Sequence, residues 1–236
     1  MNWEVPANLW KNGDVWIIGG GASITKQFNI PNDIVDKVGR GELPLSSYSP
    51  YMKSIHGKHV IGINVAYMLG NWVDMTFFGD NNYFLNHKDD MYYNFPGLKV
   101  GCANACQRYP WAKFLCRDNR KPFGITNIRK AIAWNGNSGA AAISVAANAG
   151  AKRIFLLGFD MCLDDTNATH FHNEYRKGQD RNIPKDEKKL PYQRHIRGFP
   201  TILADAMQRG IEIINVSPTS AITEFKKVSL SEALTL

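Results

Sequence analysis

The sequence predicts an α/β fold, a Rossmann-like doubly wound sheet of mostly parallel strands. Short apolar runs alternate with segments of helical spacing, and most of these runs stop at Gly, Asn or Asp. Strands that alternate with helices pair in parallel and are covered on both faces. The 236 residues are 44% hydrophobic and 21% charged, which is typical of a globular chain and excludes the disordered and fibrous classes. A single domain over residues 1–236 is expected.

Apolar runs bounded by glycine or polar residues mark the strands of the first half. They cover residues 15–18, 59–64 and 74–78, with a helical turn expected at residues 67–69. Residues 82–134 follow no clear period apart from a strand expected at residues 98–102. We therefore predict a basic, aromatic insertion or lid in this stretch.

The second half continues the alternation of helix and strand. A small-residue helix is expected at residues 140–149, with its start capped by Asn137 or Ser138. The remaining predicted elements are a strand at residues 153–157, one helix at residues 192–209 and a last strand at residues 212–216.

The sequence predicts a cytoplasmic protein without a membrane span. Its longest apolar run, residues 140–147, is far below the ~18 to 20 residues that a bilayer crossing needs. The first four residues, Met-Asn-Trp-Glu, lack the basic and apolar regions of a secretory signal.

The four cysteines match no paired zinc-ligand spacing, so free thiols are expected. The alternative is a structural zinc ion bound by Cys102, Cys106, Cys116 and a histidine.

The net charge of +7 is concentrated in one segment. Residues 99–130 contain the acid Asp118 and eight basic residues: Lys99, Arg108, Lys113, Arg117, Arg120, Lys121, Arg129 and Lys130. Tyr109, Trp111, Phe114 and Phe123 lie among them. Basic residues interleaved with aromatic rings suit a nucleic acid or a nucleotide, and the alternative is an ordinary solvated surface.

Polar residues follow several predicted strands, and the carboxyl ends of parallel strands meet at one rim, where ligands bind in this architecture. The expected rim residues are Gly19, Gly20, Gly21, Ser23, Asn64, Asp80, Asp160, Ser217 and Ser220. A glycine turn before a helix suits a phosphate, although it also occurs for packing reasons. The turn matches neither GxGxxG nor the P-loop pattern, so it predicts no hydride-transfer cofactor.

Acidic and histidine residues gather after the strand at residues 153–157. Asp80 and Asp160 are each placed to hold a metal ion, a ribose hydroxyl or a loop backbone. His170 and His172 follow Asp160 in a polar loop that also contains Asp164 and Asp165. We expect one of the two histidines to be catalytic, with metal binding as an alternative.

These motifs, taken in order, resemble those of phage-encoded proteins of the MptE-like superfamily. The resemblance rests on Gly19-x-Gly21-Ala22-Ser23, Asn64, Asn137-Ser138-Gly139, Leu157-Gly158-Phe159-Asp160 and Asn215-x-Ser217-Pro218-x-Ser220. It covers about residues 15–234, and residues 82–134 match poorly. The superfamily is related to archaeal 6-hydroxymethylpterin diphosphokinases and to the bacterial sialyltransferases of glycosyltransferase family 42.

The sialyltransferase resemblance implies a nucleotide held by Gly19, Gly21, Ser23 and Asn64, with Ser138 and Gly139 lining the cleft and the Ser217 to Ser220 loop in contact. It implies a histidine base, which is His172 or, failing it, His170. It also implies that the reaction needs no metal ion, because tyrosine hydroxyls support the departing phosphate; Tyr175 and Tyr192 are the candidates. Two features depart from the pattern: Ala22 replaces a common proline, and the two histidines are closely spaced. The diphosphokinase resemblance implies instead Mg²⁺ at Asp80 and Asp160.

Three functions follow as hypotheses. The first is a transferase that moves a sugar from a nucleotide sugar to an acceptor hydroxyl; a modified base in phage DNA, contacted by Arg117, Arg120, Lys121 and Trp111, is one such acceptor. The second is a Mg²⁺-dependent diphosphokinase. The third is a noncatalytic protein that binds nucleotides or DNA.

Overall fold

A computed structural model describes residues 3–163, 168–174 and 191–236. Within these ranges the strands are β1 Asp14–Ile18, β2 His59–Ile63, β3 Met75–Phe78, β4 Leu98–Gly101, β5 Lys113–Phe114, β6 Cys116–Arg117, β7 Ala131–Ile132, β8 Arg153–Leu157, β9 Glu212–Asn215 and β10 Lys226–Lys227. The α-helices are α1 Ser23–Gln27, α2 Asn32–Arg40, α3 Asn81–Asn94, α4 Ser138–Asn148, α5 Tyr192–Ile196, α6 Phe199–Gln208 and α7 Leu230–Ala233. Short 3-10 helices cover Leu45–Ile55, Asn64–Leu69 and Asn104–Arg108.

The described strands form an eight-stranded sheet in which every pairing is parallel. Its order is β10-β9-β8-β1-β2-β3-β4-β5, and β6 and β7 pair separately. The chain runs outward from β1 through β2 to β5 on one side and from β8 to β10 on the other. The order therefore reverses between β1 and β8, and a crevice forms at the carboxyl ends of strands at such a reversal.

Alternate side chains of β1 enter two separate apolar cores, one on each face of the sheet. Trp16 and Ile18 belong to the core that contains Tyr48, whereas Val15 and Ile17 belong to the core built on α4. This alternation follows from the two-residue period of a strand. The predicted α/β architecture, a mostly parallel sheet with helices on both faces, is confirmed.

The predicted helix over residues 192–209 is wrong, because the structure contains two helices there, α5 and α6. Pro200 lies in the first turn of α6, where its missing N–H costs no hydrogen bond. Gly198 separates the helices and packs against Asn135 so closely that a Cβ would lie 2.7 Å from its Oδ1 atom. Tyr192, Arg194 and His195 of α5 line the cavity described below.

Residues 82–134 contain more regular structure than their sequence pattern predicts. α3 occupies the first part, and β4 and β5 extend the main sheet. α3 buries Tyr83, Phe84 and Met91 among Asn and Asp residues, so it lacks the apolar stripe by which a helix is usually predicted. Among the described residues, no helix combines the length and apolar character needed to cross a membrane.

Candidate functional site

A cavity of about 350 Å³ opens at the carboxyl ends of β1 and β8. This switch-point cavity is lined by Gly19, Gly20, Gly21, Ile63, Asn64, Asp80, Trp134, Gly136, Asn137, Ser138, Gly139, Gly158, Phe159, Asp160, Met161, Cys162, Thr169, His170, Pro191, Tyr192, Arg194 and His195. Its volume falls in the range of ~300 to 1,000 Å³ that small-molecule sites occupy. Of the predicted site residues, it brings together Gly19, Gly20, Gly21, Asn64, Asp80, Ser138, Gly139, Asp160 and His170.

The glycine turn is held by Asp160. The carboxylate of Asp160 accepts hydrogen bonds from the Ser23 backbone N–H at 2.8 Å and from the Ser23 hydroxyl at 2.6 Å. Gly21 donates its N–H to the carbonyl of Gly158 at 2.8 Å, and a Cβ on Gly21 would collide with the Asp160 carboxylate. Gly19 and Gly21 are therefore required by close packing against the residues that follow β8. Asp160 binds the loop backbone, which is one of its predicted roles.

The histidine loop lies against the same turn. Phe171 donates its backbone N–H to the carbonyl of Gly20 at 3.1 Å, and the buried Tyr48 hydroxyl donates to the carbonyl of Phe171 at 3.3 Å. His170 lies over Gly20, with its Nδ1 atom 2.9 Å from the Thr169 hydroxyl. His170 is exposed and lines the cavity.

His172, the preferred base of the sequence resemblance, does not line the cavity. Its ring lies 5.2 Å from that of His170, centroid to centroid. Burial lowers the pKa of His172 well below the ordinary histidine value, and the neighbouring His170 and His87 lower it further. Its position favours a packing role.

The end of β2 and the start of α4 supply polar side chains to the cavity. Asn64 has a left-handed backbone with φ of 53°, and its buried Oδ1 atom has no hydrogen-bond partner among the described residues. Asn137 is the cap of α4, because its side-chain oxygen accepts from the Ala140 N–H at 2.8 Å. This confirms the predicted cap and leaves Ser138 and Gly139 facing the cavity.

α5 brings residues to the cavity that the sequence did not single out, above all Arg194 and His195. Asn137 fixes this segment by donating its side-chain N–H to the His195 carbonyl at 3.1 Å. Burial lowers the pKa of His195, the positive charge of Arg194 lowers it further, and Asp80 opposes the shift. No sequence signal marks His195, because it lies inside the predicted helix over residues 192–209 and is held at the cavity by Asn137, a residue distant in sequence.

Two predicted nucleotide contacts, Ser217 and Ser220, are buried and hold the loop after β9. The hydroxyl of Ser220 donates to the Phe159 carbonyl at 2.6 Å, and Ser217 Oγ lies 3.3 Å from Ser23 Oγ. Neither residue lines the switch-point cavity, and nor does Ser23. These three serines join the loops around Asp160.

Each of the four predicted DNA-contact residues has a different partner within the protein. Trp111 packs against Phe84, Tyr92 and Tyr109. Lys121 pairs with Asp205 at 2.9 Å, and the Arg117 guanidinium stacks over the Trp134 ring at 3.8 Å from its centroid. Arg120, whose side chain is 84% exposed, lies 3.7 Å from Asp118.

The described residues contain no group of three or more His, Cys, Asp or Glu side chains arranged to hold a metal ion. All four cysteines are free thiols, as expected. The predicted Tyr175, Asp164 and Asp165 lie outside the described residues, whereas Tyr192 lines the switch-point cavity.

The fold is similar to that of two bacterial glycosyltransferases. The sialyltransferase CstII from Campylobacter jejuni, solved with a trisaccharide acceptor and CMP, is 15% identical with a TM-score of 0.50 over 92% of this chain and 86% of that chain. The MAf glycosyltransferase of Magnetospirillum magneticum AMB-1 is 11% identical with a TM-score of 0.56, covering 97% of this chain and 36% of that one. This chain thus spans about a third of the MAf protein.

At these identities the likeness shows the fold. The sequence matches no protein-family model, and a search of curated proteins gives no significant match. The assignment to the MptE-like superfamily stays a prediction.

Proposed function

We propose that this chain is a glycosyltransferase that moves a sugar from a nucleotide sugar to an acceptor hydroxyl. The nucleotide binds in the switch-point cavity. The proposal is consistent with the CMP and trisaccharide acceptor bound by the structurally similar CstII, and it rests on one observation from this chain. That observation is an imidazole with a lowered pKa, His195, in a cavity of suitable size at the reversal of strand order.

A neutral imidazole is the group that this reaction needs. Burial and Arg194 keep His195 deprotonated at neutral pH, so its ring nitrogen can accept the proton of an acceptor hydroxyl. The hydroxyl oxygen forms a bond to the anomeric carbon of the donor sugar, the bond from that carbon to the phosphate oxygen breaks, and the nucleotide leaves with the electron pair. Arg194 and Tyr192 lie at the same cavity and would support the charge on the departing phosphate.

The remaining lining suits the nucleotide. Asn64 lines the cavity, and its side-chain oxygen has no partner among the described residues, so rotation of the carboxamide would bring an acceptor to a base or ribose that donates to it. The Gly20 backbone and Ser138 hydroxyl add further polar groups at the opening. His170 is the second candidate base, since it also lines the cavity.

The test is turnover of a panel of CMP-, UDP- and GDP-sugars in the presence of EDTA, with release of the nucleotide as the readout. We expect one donor to be turned over without added metal. His195→Gln should lower this rate by about 10² to 10⁴, while nucleotide binding persists. His170→Gln is the comparison inside the cavity, and the exposed His59→Gln is the control outside it.

Other outcomes would assign other functions. Formation of AMP from a nucleoside triphosphate that requires Mg²⁺ would support the diphosphokinase, and binding without turnover would support the noncatalytic protein. A larger loss in His170→Gln than in His195→Gln would transfer the role of base to His170. Arg117, Lys121 and Trp111 are engaged within the protein, so a DNA acceptor gains no support from their contacts.

A further inference from the structure

A second cavity of about 570 Å³ adjoins the carboxyl ends of β4 and β5. It is lined by the carboxamides of Asn81, Asn104, Gln107 and Asn119 together with Arg117, and we refer to it as the amide cavity. Phe114 is the aromatic residue in this lining. The proposed function leaves this cavity without a role.

Consecutive residues of the chain line the two cavities. Asp80 lines the switch-point cavity, and its chain neighbours Gly79 and Asn81 line the amide cavity. Gly79 packs so closely on the Trp134 ring that a Cβ there would collide with it. Arg117 donates to the Gly79 carbonyl at 2.9 Å and stacks on Trp134, which lines the first cavity. A molecule in the amide cavity therefore lies next to the proposed site of transfer.

The lining identifies the class of molecule that fits. Each carboxamide offers a donor and an acceptor, and a sugar hydroxyl also acts as both. Asn81 is oriented by accepting from the Ala105 N–H at 2.9 Å, and Gln107 donates to Asn104 at 3.4 Å. Arg117 is the cationic residue in the lining, whereas a polyanion such as DNA is bound through several basic side chains.

We propose that the amide cavity binds a saccharide, and that this saccharide is a part of the acceptor held beside the switch-point cavity. The role of this saccharide as the acceptor rests on the proposed function. The binding of a saccharide in the amide cavity is a separate claim and can be measured without a donor.

The test is saturation-transfer NMR with a fixed panel of free sugars: glucose, galactose, mannose, N-acetylglucosamine, lactose and N-acetyllactosamine. We expect at least one to bind, and binding to weaken about tenfold or more in the double variant Asn104→Leu/Gln107→Leu, which loses two hydrogen-bonding side chains. Both side chains are exposed, so the fold should persist. The matched control is Asn71→Leu/Gln208→Leu, which removes the same residue types from exposed positions outside both cavities.

Nucleotide release from the donor is measured in the same variants. Loss of sugar binding with unchanged donor hydrolysis would support both proposals. Loss of sugar binding in a protein that turns over no donor would support the saccharide site and refute the glycosyltransferase. Absence of binding to every sugar of the panel, equal binding by the double variant, or a single-stranded oligonucleotide whose binding depends on Asn104 and Gln107 would overturn the saccharide site.

Discussion

Removing the Asp160 carboxylate should destabilise the protein strongly, because this side chain holds the glycine turn. Asp160 is 5% exposed and accepts from Ser23 through both oxygens. Hydrogen bonds to charged groups are worth about 1.5 to 3 kcal/mol each. Asp160→Ala removes two and leaves the buried Ser23 N–H and hydroxyl without their acceptor, so we expect a loss of about 4 kcal/mol in the free energy of unfolding.

Asp160→Asn removes the charge of this side chain and keeps its shape. The carboxamide oxygen can accept from the Ser23 N–H while the carboxamide NH2 donates to the Ser23 hydroxyl, so the two bonds become neutral ones worth about 0.5 to 1.5 kcal/mol each, and the expected loss is about 2 kcal/mol. Ser23→Ala removes the hydroxyl bond and keeps the backbone bond. In a double-mutant cycle, the coupling energy between Ser23→Ala and Asp160→Ala should lie at about 1 to 2 kcal/mol.

The assay is urea unfolding followed by circular dichroism, with the midpoint temperature as a second readout. A loss of about 4 kcal/mol corresponds to roughly 8 to 16 °C for a chain of this size. The control is Asp89→Ala, whose side chain is 77% exposed and which should change stability by less than about 0.5 kcal/mol. A loss below about 1 kcal/mol for Asp160→Ala would refute the account of the turn.

Three further predictions concern pH and capping. Because burial and then Arg194 lower the pKa of His195, kcat/KM for donor turnover should rise with pH and level off below about 6.5; an ascending limb above pH 7 would contradict this. The pKa of His172 is also lower in the folded state, so the unfolded chain binds more protons in acid and stability falls below about pH 6.5. Urea unfolding should show a smaller fall for His172→Gln, and an unchanged fall would count against burial as the cause. Ser229→Ala removes the capping box with Glu232 at α7 and should cost about 1 kcal/mol in urea unfolding, without altering turnover; no loss would show that the cap is weak.

The six longer strands were predictable because each is a short apolar run with a turn signal at its end, whereas the two-residue strands β5, β6, β7 and β10 have no such run. The runs at residues 15–18, 59–64 and 153–157 coincide with β1, β2 and β8, apart from Asn64, which starts a 3-10 helix with a left-handed backbone. Because these strands pair in parallel, Asn64 and the glycine turn lie at one rim, as the sequence predicts.

What the sequence did not predict depends on contacts between distant residues. Asn137 holds His195 at the cavity by donating to its carbonyl, and this contact has no local sequence pattern. Asp160 accepts a hydrogen bond from Ser23, which lies 137 positions away in the sequence. The sequence of the basic segment likewise does not predict the ion pair of Lys121 with Asp205, because Asp205 is on α6, 84 positions later in the chain.

The central claim is that a nucleotide binds in the switch-point cavity, and calorimetric titration with CMP, UMP, GMP and AMP tests it most directly. We predict that one nucleotide binds with a stoichiometry of one and that Asn64→Gly weakens it about tenfold, because the side chain with the unpartnered oxygen is lost. Glycine tolerates the φ of 53° at Asn64, and Asn12→Gly, at an exposed residue with φ of 58°, is the matched control. Binding of no nucleotide, or equal affinity in wild type and Asn64→Gly, would contradict the claim.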